Sequence, residues 1–146
     1  MKEDETEQVR GALDSILGFH IRLAHGAVYR HFTETFSDLE LTQKQVSVLW
    51  LIDDQPGLSQ SDLGQQLQMD RATTTEIINR LAGRGLLRRD TSTEDRRKTA
   101  LSLEPAGKAM LEAAKQAVLD HENWLKQRFS EAEVEILIGL LARIHA

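Results

Sequence analysis

Arg96, Arg97 and Lys98 stand side by side in the stretch TSTEDRRKTALSL, residues 91–103. Cationic side chains crowded in this way pair with phosphates, and their surroundings reinforce them. From Arg71 to Lys98 there are eight basic residues against four acidic ones, while the rest of a chain of net charge −5 holds ten basic and nineteen acidic residues. Because salt screens charge over about 8 Å under physiological conditions, such a patch can attract a polyanion despite the acidic remainder. A merely solvated charged face would show the same composition. A second set lies just upstream, where Arg71, Ala72, Thr73, Thr75, Glu76, Asn79 and Arg80 share the polar side of a helical pattern. These are side chains of modest length offering donors and acceptors together, which suits base edges as well as phosphates. Ordinary surface helices rely more on Glu and Lys pairs.

The elements that must position these residues are legible in the spacing. Apolar residues at Leu13, Leu17, His20, Ala24, Ala27, Val28 and His31 predict one long helix from about Val9 to Phe36. Thr42 is a candidate N-cap for a second helix that ends at the QPG of 55–57. Ser59, with Asp62 in the first turn, opens a short third helix with Leu63 and Leu67 facing inward, and Asp70 repeats the capping signal. The fourth helix runs over roughly 71–84, buries Thr74, Ile77, Ile78 and Leu81, and stops at Gly85. Two short helices joined by a tight turn make a helix–turn–helix. The strand-like runs LLRRD and TALSL then flank the basic triplet, so the arginines sit at the tip of a hairpin that reaches an adjacent minor groove as a wing. There Asp95 is expected to orient an arginine through a charge-assisted hydrogen bond instead of meeting phosphate. Pro105 starts a fifth helix reaching about Arg128, and Ser130 with Glu133 forms a capping box for a last one. Apolar residues cover well over half of that last helix, more than one small domain can shelter, which predicts a subunit partner.

Other chemistries are poorly represented. At 146 residues, 40% hydrophobic and 28% charged, the chain fits one folded unit. It has no cysteine, hence no disulfide or thiol chemistry. No apolar run spans a membrane and the N-terminus is charged, so the expected location is the cytoplasm. Neither G-x-S-x-G, a P-loop, H-E-x-x-H nor a dinucleotide fingerprint is present, and an enzyme is not expected. His20 and His31 share a helix face but lie about 16 Å apart at the usual rise, too far for one ion. No metal and no cofactor are assigned.

The order and spacing of GLSQSDLGQQLQMDRATTTEIINRLAGRGLLRRDTSTEDRRKTALSLEPAGKAML resemble the MarR family of bacterial transcription regulators, a likeness that covers about residues 9–145. The resemblance implies a mainly α fold with a small β-hairpin wing. One domain, 1–146, would contain a winged helix–turn–helix at about 40–103 flanked by dimerisation helices at about 9–36 and 105–145. It further implies a homodimeric regulator, typically a repressor, of pseudo-palindromic double-stranded DNA, released by a small aromatic or phenolic effector. By position, Arg71, Thr73, Thr75, Glu76, Asn79 and Arg80 become the recognition face, Gln60 and Ser61 the phosphate-facing start of the third helix, and Asp95, Arg96 and Arg97 the wing, with Arg89 as partner for Asp95. Glu104 departs from the pattern, the family usually having threonine before that proline, which bears on the helix cap and not on the function. Arg22, His25, Tyr29 and Trp50 offer an anion partner and aromatic walls for the effector; core packing for Trp50 and a surface ion pair for Arg22 are the ordinary alternatives. A metal-responsive regulator of this fold and a winged-helix protein-interaction module without DNA are the competing functions.

Overall fold

The computed structural model describes residues 10–91 and 99–146; the wing residues Asp95, Arg96 and Arg97 lie outside the described residues. The described chain holds six α-helices and one antiparallel hairpin, a winged-helix architecture. By its contacts the chain divides into one unit ending at Glu34 and a second from Thr35 to Ala146.

In the first unit the expected single helix is broken. A 3₁₀ turn over Gly11–Ser15 precedes α1, Leu17–Thr35. Gly11 takes φ +60° and Ile16 is extended, so the helical ladder cannot run through. The His20 ring bridges the break, donating from Nε2 to the Asp14 carbonyl at 2.7 Å. The apolar stripe foreseen for this helix is not a buried one: Leu17 is 72% exposed, and Phe32 is the buried residue. Periodicity identifies an apolar face but cannot say whether the same chain covers it.

The second unit is organised around α2, Gln43–Asp54, which packs against α3, Gln60–Gln66, α4, Arg71–Gly83, strand β2, Thr99–Leu103, and α5, Pro105–Lys126. Strand β1, Leu87–Thr91, pairs with β2 in the register Leu87 to Leu103, and α6, Glu131–His145, closes the chain. The core gathers Val48, Leu49, Ile52, Leu63, Ile78, Leu81, Leu101, Leu111 and Ala114, all nearly inaccessible. The segment before α3 also joins the sheet. Gly57 N–H donates to the Leu101 carbonyl at 3.0 Å, and Leu101 N–H to that of Leu58 at 2.9 Å, which ties the root of the hairpin to the start of α3.

Local caps explain the boundaries. Thr42 and Gln45 form a reciprocal capping box for α2, as Ser130 and Glu133 do for α6. Gly85, at φ +73°, ends α4 in a Schellman turn in which Leu86 N–H donates to the Leu81 carbonyl at 3.0 Å. At α5 the side chain of Glu104 makes no cap, and its N–H instead donates to the Leu86 carbonyl at 3.0 Å. No described helix is long and apolar enough to cross a membrane.

Candidate nucleic-acid interface

The turn between α3 and α4 places the helix that carries the candidate surface. Its residue Gln68 adopts φ +54°, while Met69 N–H donates to the Gly64 carbonyl at 2.9 Å. The two helices approach so closely at Gly64 that a Cβ there would stand 2.9 Å from the hydroxyl of Thr74. Gln68 also donates from Nε2 to the His145 carbonyl at 3.1 Å, linking the turn to the end of α6.

The first turn of α4 is fixed by Asp70, whose carboxylate accepts from Thr73 N–H at 2.7 Å. The backbone and side-chain hydrogen bonds of Thr73 hold the Asp70 carboxyl below its ordinary pKa, because they favour the charged form. The folded value therefore lies under the unfolded one. The resulting stability is complete above the ordinary carboxylate range and is lost as pH falls through that range to the lower folded value. Asp70→Asn, which caps without titrating, is expected to flatten part of the parent's loss of stability between about pH 5 and pH 3. Urea midpoints measured across that range check this, and parallel profiles would exclude a contribution from the cap.

Arg71, Ala72, Thr75, Glu76, Asn79 and Arg80 line one open, shallow surface along α4. Thr73, half-buried, does not line it, so five of the six residues assigned to the recognition face come together. Gln60 and Ser61, at the start of α3, share a neighbouring groove with Arg71, Gln65 and Thr99. Arg71 borders both surfaces, and its guanidinium has no partner among the described residues. The sequence pattern alone does not point to Thr99, whereas Gln65 stands one turn after Ser61, an i, i+4 spacing that places both on one helix face.

The polar groups of this surface are partly committed to one another. The Thr75 hydroxyl donates to the Arg71 carbonyl at 2.9 Å and accepts from Gln60 Nε2 at 2.9 Å, so it positions Gln60. Glu76 and Arg80 form an exposed ion pair at 3.5 Å, a weak interaction that a phosphate can displace. Arg89 on β1, assigned as partner to Asp95, donates from Nη2 to the Asn79 side-chain oxygen; Asp95 itself lies outside the described residues.

The residues expected to meet an effector fall in both units. In α1 the rings of His25 and Tyr29 stack one turn apart with centroids 6.4 Å apart, and the Arg22 guanidinium lies 5.4 Å from the Phe19 centroid. In the second unit the Trp50 ring, half-buried, is faced by Lys115 Nζ at 5.2 Å, and that ammonium also lies 3.9 Å from Asp53. Arg22 thus makes a cation–π contact with Phe19, and Trp50 is half-buried beside Lys115. No group of three or more metal-ligating side chains gathers among the described residues.

Comparison with known proteins agrees with this geometry. A sequence profile of the MarR family matches residues 41–99, the span from the start of α2 into β2. A protein of Thauera aromatica, named as a transcriptional regulatory protein for the hcr operon, is 38% identical over 143 residues, 97% of this chain and 86% of the relative. The transcriptional repressor CouR bound to a 23-mer DNA duplex superimposes with a TM-score of 0.88 at 33% identity, over 93% of this chain and 96% of that one. CouR bound to p-coumaroyl-CoA gives 0.84 at 31% identity, over 92% and 95%. With likeness in sequence running through nearly the whole chain and likeness in structure through every element that frames the α4 surface, this protein belongs to the MarR family of winged-helix transcription regulators.

Proposed function

We propose that the protein is a homodimeric, sequence-specific repressor of double-stranded DNA that a small aromatic acid or its thioester releases, and that it is not an enzyme. The observation that carries this reading is the α4 surface itself, an exposed polar helix face capped at both ends and flanked by the amide and hydroxyl of Gln60 and Ser61. Such a helix enters a major groove while the start of α3 meets backbone phosphate. The winged region would be about residues 40–103, with α1 of the first unit and α5 and α6 of the second supplying dimer surfaces. CouR, whose structures hold a DNA duplex and p-coumaroyl-CoA, supports both halves of the proposal. Arg22, His25 and Tyr29 of the first unit, and separately Trp50 of the second, are the residues we assign to the effector, the aromatic rings to its ring and the cation to its anionic part. Release requires that the effector bind the DNA-incompetent form more tightly, since equal affinity shifts nothing.

Selection from a randomised duplex pool followed by a salt titration tests the proposal. A pseudo-palindrome with half-sites about one turn apart is expected, with affinity falling on the order of a thousandfold between about 50 and 200 mM salt. Replacing Arg96 and Arg97 by alanine should weaken binding to every duplex and flatten the salt slope by about 1 for each phosphate no longer neutralised. Flat, unselective binding would move the protein-interaction reading to the front.

A further inference from the structure

Asn79 sits in the middle of the α4 surface, exposed, with its side-chain oxygen held by Arg89 from β1. A guanidinium has donors only, so the amide must turn its oxygen toward Arg89 whichever way an amide might otherwise be assigned. The NH₂ group is left pointing elsewhere and donates to no described residue. We propose that Arg89 sets what Asn79 reads, making it a donor that selects guanine over adenine. This rests on the DNA-binding reading above.

The chemistry of the base edges separates the two purines. A free asparagine pairs with adenine through two bonds, giving a hydrogen to N7 and accepting one from the N6 amino group. That acceptor is the oxygen that already receives Arg89 on one of its two lone pairs. Guanine instead presents N7 and O6, two acceptors side by side, which an amide NH₂ can meet without releasing Arg89. The guanidinium charge beside the amide acts in the same direction, because guanine offers the more electronegative edge. An adenine under Asn79 would bring its amino hydrogens toward an oxygen that already carries one hydrogen bond and toward the guanidinium that donates it, so its second bond is weakened. Arg89 is therefore a positioning residue: it acts on specificity through the amide of Asn79, across the turn that joins α4 to β1.

Duplex selection with four proteins tests this: the parent, Asn79→Ala, Arg89→Met and Arg89→Lys. Arg89 is exposed, so its substitutions are not expected to disturb folding. The parent should select guanine at one base pair per half-site, and Asn79→Ala should lose preference at that position alone. Arg89→Met frees the amide oxygen and should shift the guanine-to-adenine ratio there by about tenfold toward adenine, with the other positions unchanged. Arg89→Lys retains a charged donor and should keep guanine. Adenine in the parent's site, or an unaltered guanine preference in Arg89→Met, overturns the inference. So does a uniform loss of affinity with a flatter salt slope and the same base preferences, which would make Arg89 a phosphate contact. A parent that enriches no sequence at all removes the DNA-binding reading itself, and that result is distinct from each of the others.

Discussion

Gly107→Ala is expected to lower stability by about 3 kcal/mol, among the larger effects of a single added methyl group. Gly107 lies in the first turn of α5, where a Cβ would stand 1.9 Å from the Leu86 carbonyl oxygen and 2.8 Å from its carbon. Both are backbone atoms of the segment between α4 and β1. They cannot rotate away as a side chain could, so the helix must lift from the strand. Lifting it breaks the 3.0 Å bond from Glu104 N–H to that same oxygen, the bond that stands in for the missing cap of α5. It also opens the packing around Leu86 and Leu111, which are 4% and 1% exposed. For a chain of this size the corresponding fall in melting temperature is on the order of 10 °C. Urea denaturation of the two proteins measures the difference. Gly83→Ala is the control, since nothing lies within 4 Å of a Cβ there. A Gly107→Ala protein within about 1 kcal/mol of the parent would show that the helix and the strand do not approach this closely in solution.

Removal of residues 130–146 is expected to abolish the dimer and, with it, about a hundredfold or more of the affinity for a two-half-site operator. In the single chain α6 buries none of its residues fully, and Ile136, Ile138 and Ile144 are 61%, 62% and 64% exposed. A helix this apolar gains its stability from a partner surface, and in the proposed dimer that surface is a second copy of the chain. Without it each winged region binds one half-site alone and forfeits the effective concentration of the tethered second. Truncation also deletes the His145 carbonyl that receives Gln68 of the helix–turn–helix, so a fall in DNA binding would have two origins. Ile138→Glu with Ile144→Glu separates them, keeping the helix and that carbonyl while charging the apolar face. Sedimentation should then report monomers for both variants. A truncated chain that stays dimeric and binds as the parent does would end the assignment of α6 to the interface.

The starts and stops of the helices from α2 onward and the buried stripe of α4 are legible in the amino-acid order. Thr42 with Gln45, Ser59, Asp70, Ser130 with Glu133, and Gly85 act through hydrogen bonds that close within a few residues, and such bonds belong to the local chain whatever packs around it. The periodicity of Thr74, Ile77, Ile78 and Leu81 likewise identified the face that α4 buries, leaving the opposite face as the candidate surface. Which polar side chains on that surface are committed to one another is set by packing between distant segments. Thr75 holds Gln60, fifteen residues earlier, and Arg89 holds Asn79 from across a turn. The same is true of Gly107, whose want of a side chain makes sense only against the Leu86 backbone, and of the α1 stripe, which stays exposed in one chain. Each of these depends on the distance between elements that are apart in sequence, and that distance is set by how the whole core packs.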